Sequence, residues 1–357
     1  MDKKYYDVKD ILNVKDLDGM KPSKYIITGN NSAGKTTSVL IYMLEKFNEL
    51  GEEFVLFYRS KYEISGAHLI FDDVLNMYPE LGLGMESIAR AGGVYYQLDL
   101  LRGDPENAEK VRCGFAVPLR NPDALKKYSP VFNKCKRGLF DEFMLESGNY
   151  LQKEVDLLNA VLKVVTRGGG EQSREFELFM LGNNVTIMNP HFIHLGIHKR
   201  LRAETKIMRG HGWIANFMFS KTASDAIKSN RLFADEMDSD YMKYSTESVY
   251  LFDASVFVQK PSGKSKYLFT LVHAGKAYGV RMYWDDGMVY VSSGADATFP
   301  HVFTFKANDH SQNTIMLSRC SYIWQTVRDA YYGGYLRFEN VDAKNAIFEI
   351  LGVDIFG

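Results

Sequence analysis

Residues 29–36 read Gly29-Asn30-Asn31-Ser32-Ala33-Gly34-Lys35-Thr36, a G-x-x-x-x-G-K-[ST] pattern without a mismatch. Such a stretch lets successive backbone N–H groups curl around the phosphates of a nucleotide. The two glycines permit the tight bend and the close approach. Lys35 is placed to reach the β- and γ-phosphates, and Thr36 to set its hydroxyl on Mg²⁺, with Thr37 completing the binding set. The implied ligand is ATP or GTP with Mg²⁺.

Phosphoryl transfer is mostly positioning and charge neutralisation, so a second acid and a water-orienting carboxylate must stand at strand ends facing the γ-phosphate. Leu139-Phe140-Asp141-Glu142 offers both in series: Asp141 for the metal and Glu142 for the water. Asn183, at the end of the next apolar run, is a residue type that can contact the γ-phosphate, and equally one that caps turns. Arg167 precedes Gly168-Gly169-Gly170 and can reach as a finger into a neighbouring site; Arg174 competes for that role. His191, His194 and His198 are spaced to share a helix face. No fourth ligand accompanies them, so they read as structural rather than zinc-binding. Lys199, Arg200, Arg202, Lys206 and Arg209 form a basic cluster that either grips a phosphate backbone or is a solvated face.

These groups need strands to carry them. Lys24 to Thr28 reads as a buried parallel strand into the glycine loop. Val39, Leu40, Met43, Leu44 and Phe47 recur at helical spacing over 37–50, and Gly51 stops the helix. Glu53 to Tyr58, Gly93 to Leu98, Cys113 to Pro118, Arg137 to Phe143 and Glu175 to Leu181 are further strands, with a helix expected over 149–165. Alternating strands and helices imply a mostly parallel sheet with its nucleotide site at the strand C-termini. Composition turns polar over 221–244. Beyond it, runs at 249–258, 266–273, 277–284 and 288–291 are separated by hairpin signals, and helical patterns follow at 321–332 and 342–351.

A chain of 357 residues is long enough for two domains. Its net charge of −1 disfavours a dedicated, strongly basic nucleic-acid binder but leaves room for a ring lined by a few cations per subunit. No window approaches the roughly 18 apolar residues of a membrane span, and the first residues do not read as a signal peptide. Cys113, Cys135 and Cys320, odd in number and widely spaced, fit a reducing cytoplasm.

The order of parts resembles the genome-packaging ATPases of phi-29-like bacteriophages. The resemblance is carried by Gly29 to Thr36, by FVLFYRSK at 54–61, by Ala116-Val117-Pro118-Leu119 ahead of LFDEF at 139–143, by LGNNVTIMNPHF at 181–192, and by Gly334-Tyr335-Leu336-Arg337-Phe338. It spans nearly the whole chain. It implies an α/β fold: a RecA-like ASCE P-loop ATPase domain (1–220), a helical linker (221–248) and a smaller α+β RNase H-like domain (249–357), a vestigial nuclease acting as a binding module. It also implies ATP and Mg²⁺ as cofactors, and a homo-oligomeric, pentameric ring at the portal protein of an empty capsid. There the ring would drive double-stranded DNA inward, with a packaging RNA as a further partner, in the host cytoplasm and away from membranes. The family's trans-acting arginine best matches Arg167, and a second trans-acting cation falls at Lys126 or Lys127. Asp253 lies on the expected first strand of the last domain, and Asp285, Asp286 and Asp296 in turns, so no nuclease triad is evident. Two other readings stay open at this point: a P-loop kinase for a small substrate, and an ATP-regulated nuclease.

Overall fold

The computed structural model describes residues 6–146, 150–168, 170, 173–187, 189–201, 205–233, 258–317, 321–333 and 335–356. Arg202, Asp253, Cys320 and nearly all of the strand expected over 249–258 lie outside these residues. The chain divides into two compact units, Met1–Val185 with Arg200–Val249, and Thr186–Lys199 with Tyr250–Gly357.

Among the described residues the first unit is built on nine strands: β1 (Lys24–Gly29), β2 (Glu53–Tyr58), β3 (Gly84–Arg90), β4 (Tyr95–Arg102), β5 (Glu109–Pro118), β6 (Cys135–Phe140), β7 (Glu177–Asn183), β8 (Ile207–Gly210) and β9 (Trp213–Met218). Their order is β3-β4-β5-β2-β6-β7-β1-β9-β8. The six strands from β5 to β9 run parallel, and antiparallel hairpins close both edges. Both faces of the parallel strands are covered, which is why they read as near-continuous apolar runs. The Lys35–Leu50 helix buries the expected stripe of Val39, Leu40, Met43, Leu44 and Phe47, and it ends at Gly51 with φ +66°.

Three features depart from the sequence expectation. β3 lies in a glycine-punctuated stretch where no strand was expected; its hairpin to β4 turns through left-handed Ala91, Gly92 and Gly93. The second edge hairpin, β8–β9, was also not expected, and β9 adds to β1. The helix expected from 149 starts at Glu154, because Lys153 before it is left-handed at φ +56°. β6 carries charge yet is central. Its Arg137 is buried by pairing with Glu52 and, at 2.8 Å, with Glu177, while lying 5.1 Å from the Tyr42 ring. Gly138 is required there, since a Cβ would overlap the rings of Phe57 and Phe176.

The second unit carries β10 (Ser265–His273), β11 (Lys276–Tyr283), β12 (Met288–Ser293), β13 (Val302–Thr304), β14 (Ile315–Met316) and β15 (Leu336–Phe338), ordered β14-β13-β10-β11-β12-β15. β10, β11 and β12 form the expected antiparallel meander, and β13, β14 and β15 add in parallel. The first five strands among the described residues therefore follow the RNase H-like order. Phe269, Val280, Val291 and Phe303 pack with Trp324 and Val327 of the Ser321–Tyr332 helix and Ile347 and Phe348 of the Val341–Phe356 helix.

Candidate nucleotide-binding and hydrolysis site

Three neighbouring strand ends build the site. Tyr25 of β1 stacks on Phe179 of β7 at 5.0 Å, and Tyr42 of the following helix meets the same ring edge-on at 5.8 Å. This aromatic lock accompanies a register in which Gly29 pairs with Asn183. Asn183 is thereby brought to the mouth of the glycine loop. β6 pairs with β7 on the other side, so Asp141 and Glu142 emerge beside it. Gly34 enters the helix at φ +84°, a conformation costly for any other residue type.

Lys35 is buried. Its Nζ donates to the Asn30 carbonyl at 2.8 Å and to Asn183 Oδ1 at 3.1 Å. Burial pushes its pKa down to about 8, against the pull of Asp141. Thr36 Oγ1 donates to Asp141 Oδ2 at 2.8 Å, while the Glu142 N–H donates to Asp141 Oδ1 at 2.9 Å. Burial raises the Asp141 pKa despite those two bonds. A desolvated carboxylate against a hydroxyl is a hard-oxygen donor pair that suits Mg²⁺, which takes one or two protein ligands and fills the rest with phosphate and water. Glu142 is exposed and left-handed at φ +49°. A cavity of about 230 Å³ is lined by Ser32 to Thr37, Asp141, Glu142, Gly182 and Asn183. That is below the roughly 300 Å³ minimum of a pocket for a whole ligand, and fits the phosphates of a nucleotide better than its base.

Asn30, expected in the binding set, does not line this cavity. It is fully buried, and its amide exchanges two hydrogen bonds with the Ser220 backbone, at 2.9 and 2.8 Å. Its side chain thus ties the loop to the chain after β9, and its carbonyl holds Lys35. Asn31 likewise lies outside the cavity lining.

The two candidate finger arginines separate clearly. Arg174 is buried, and its guanidinium donates to four carbonyls of its own chain: Phe132 (2.8 Å), Asn133 (2.6 Å), Cys135 (3.1 Å) and Val165 (2.6 Å). Arg167 is exposed just past the Glu154–Val165 helix, and Gly168 after it is left-handed. Arg167 and Lys126 line one groove of about 680 Å³, together with Lys163; Lys127 is not part of it.

Sequence reasoning missed Arg59 and Glu154. Arg59 Nε and Nη2 bind both carboxylate oxygens of the fully buried Glu154, at 2.8 and 2.9 Å. Its Nη1 and Nη2 also donate to the carbonyls of Glu142 (3.0 Å) and Phe143 (2.8 Å). The only available signal was a basic residue directly after a strand. The histidines do not share one face: His191 and His194 lie on the Pro190–His194 helix and His198 on Ile197–Arg200, with left-handed Gly196 between.

A parallel sheet with a phosphate loop after β1 and an acid pair after β6, with β7 between them, defines a P-loop ATPase fold. The family model of the Podovirus DNA encapsidation protein (Gp16) matches residues 1–354, and the chain belongs to that family. The DNA packaging protein of Bacillus phage PZA is 24% identical over 328 residues, covering 91% of this chain and 92% of that one. That of Bacillus phage B103 is 26% identical over 325 residues, covering 88% and 92%. Among solved structures, the phi-28 gp11 DNA packaging motor superposes with a TM-score of 0.55 at 15% identity over 98% of this chain and 97% of that one. The bacteriophage phi-29 genome packaging motor assembly does so with 0.52 at 22% identity over 98% and 99%. These two likenesses extend the shared fold to nearly the whole chain. No helix among the described residues is long and apolar enough to cross a membrane.

Proposed function

We propose that this chain is the ATP-hydrolysing motor subunit that drives double-stranded DNA into a preformed capsid. The observation that carries this reading is the joined set Lys35–Asn183 and Thr36–Asp141–Glu142 at three adjacent strand ends. Lys35 and the loop N–H groups hold the phosphates. Thr36 and Asp141 are the residues to hold Mg²⁺, which supplies charge neutralisation at the phosphates when bound. Glu142 orients and deprotonates the attacking water, and Asn183 reports the γ-phosphate to β7. The cavity carries one cation of its own, Lys35, so the transition state needs another. Arg167 supplies it to the neighbour in a ring, assisted by Lys126 from the same groove. The family membership supports a pentameric ring at the portal, with double-stranded DNA, portal protein and a packaging RNA as partners, acting in the host cytoplasm.

The second unit acts as a binding module. β10, the first described strand of its RNase H-like order, reads Ser265-Lys-Tyr-Leu-Phe-Thr-Leu-Val-His273 and offers no carboxylate. Asp285 and Asp286 sit in an exposed turn, and Asp296 accepts hydrogen bonds from Thr298. This argues against two-metal cleavage.

The test is ATP hydrolysis by the purified oligomer with and without DNA. DNA should stimulate turnover, and Glu142→Gln should retain nucleotide binding while turnover falls at least 100-fold. DNA-independent turnover by a monomer would favour a small-substrate kinase instead. Metal-dependent DNA cleavage that survives Lys35→Ala would favour a nuclease.

A further inference from the structure

Two buried arginines staple β6 to the Glu154–Val165 helix at opposite ends, and the two exposed candidate catalytic groups of this subunit sit at those same ends. At the upper end, Arg59 bridges Glu154, the first residue of the helix, to the carbonyls of Glu142 and Phe143, just past β6. The guanidinium carbon lies 4.9 Å from the centre of the Phe140 ring and 5.6 Å from that of Tyr150. At the lower end, Arg174 bridges the Val165 carbonyl, the last of the helix, to Phe132, Asn133 and Cys135, where β6 begins. The Arg174 N–H also donates to the Thr166 carbonyl at 2.9 Å, one residue before Arg167.

The two members match in length. A six-residue strand spans about 20 Å, and a twelve-residue helix about 18 Å. Strand, helix and two arginine staples therefore close a frame with no loose corner. Glu142 is held at one corner in a strained left-handed conformation, which persists only where its surroundings over-determine it. Arg167 projects from the opposite corner.

We infer that Arg59 and Arg174 are positioning residues that make this frame a rigid link between the Glu142 of a subunit and the Arg167 it offers to its neighbour. A shift of Glu142 during turnover is then transmitted along the helix to the next site in the ring. The inference rests on the proposed trans role of Arg167, and it adds what sets the position of that arginine and couples it to its own subunit's site.

The test uses mixed rings of wild-type subunits and Lys35→Ala donors. Donors cannot turn over, so with donors in large excess hydrolysis reads what they lend to wild-type neighbours. Adding Arg167→Ala to the donor tests the underlying reading and should lower neighbour turnover by roughly 10³-fold. Adding Arg59→Lys or Arg174→Lys instead should lower it about tenfold, with Arg167 still in place. In uniform rings, Arg59→Lys should lower kcat with little change in KM for ATP, a split that general loosening of the fold would not give. Should Arg59→Lys donors fail to enter rings, Glu154→Gln reads the same staple from its other side. If both lysine donors support neighbours as fully as plain Lys35→Ala donors while Arg167→Ala donors do not, the frame is overturned and the trans arginine stands. If Arg167→Ala donors also support neighbours fully, both fall.

Discussion

Lys35 Nζ, at the start of the helix after β1, and Asn183 Oδ1 are joined at 3.1 Å, so the lysine of the glycine loop is held by the residue that ends the neighbouring β7. A γ-phosphate competing for Lys35 must weaken this bond, and the Asn183 amide is then free to turn its N–H donors toward the phosphate. Asn183→Ala removes the exchange but leaves the loop intact. Its expected effect is a fall in kcat of at least tenfold with ATP affinity changed less than threefold, measured by steady-state kinetics and nucleotide titration. An unchanged kcat would remove Asn183 from the site.

The lowered Lys35 pKa, about 8, sets a pH dependence. Phosphate binding needs the charged lysine. Above pH 8 the free protein must take up a proton on binding, and affinity should fall by up to tenfold per pH unit. Calorimetric titrations at pH 8.5 in buffers of different ionisation enthalpy should report uptake of about three-quarters of a proton, and zero uptake would contradict the assignment. The sign for stability follows from the same shift. The folded-state pKa lies below that of an exposed lysine, near 10.5, so the charge costs stability at pH 7 and the cost is relieved as pH rises from 8 towards 10.5. The full cost is roughly 3 kcal/mol. Lys35→Met should therefore raise the nucleotide-free Tm at pH 7 while abolishing nucleotide binding.

The Asn30 side chain lies outside the cavity lining, yet it anchors the loop. Asn30→Ala removes both bonds to the Ser220 backbone and leaves a part-buried N–H and carbonyl of Ser220 without those partners, a cost of roughly 1–3 kcal/mol. Nucleotide affinity should drop about tenfold as the loop loosens. Ser220→Ala provides the contrast. It keeps those backbone bonds and loses only the hydroxyl that caps the Lys221–Lys228 helix, costing about 1 kcal/mol of stability. Its nucleotide affinity should match the wild type.

Much of this site was legible in the sequence because its parts obey local rules. The glycine loop needs a strand before it and a helix after it, and apolar periodicity marks both. Asp141, Glu142 and Asn183 end apolar runs, and strand ends in parallel sheets are where ligands bind. Buried charge was the obscure part. Arg59, Glu154 and Arg174 look in sequence like any solvated residues, because all the side-chain partners of the two arginines except Val165 lie 39 or more positions away. The edge hairpins were hidden for a related reason. β3 reads Gly-Met-Glu-Ser-Ile-Ala-Arg, and a half-exposed edge strand needs little apolar pattern. The late helix start depends on one left-handed residue, Lys153, which no propensity favours.

The contrast between Arg167 and Arg174 gives the sharpest test of how the site is completed. Arg174→Ala would strip four carbonyls of this donor at once, three of them in buried hydrogen bonds, so it should destabilise the folded subunit by several kcal/mol and lower its Tm accordingly. Arg167 is exposed, and a surface arginine typically changes stability by less than about 0.5 kcal/mol when truncated. Arg167→Ala should therefore leave the Tm and the ATP affinity of isolated subunits unchanged while turnover in assembled rings falls by about 10³-fold. Thermal melting paired with turnover in rings separates the two arginines in a single experiment. Arg167→Ala rings that hydrolyse ATP at the wild-type rate would mean that another cation completes the site, and Lys126 and Lys163, which line the same groove, are then the residues to substitute next.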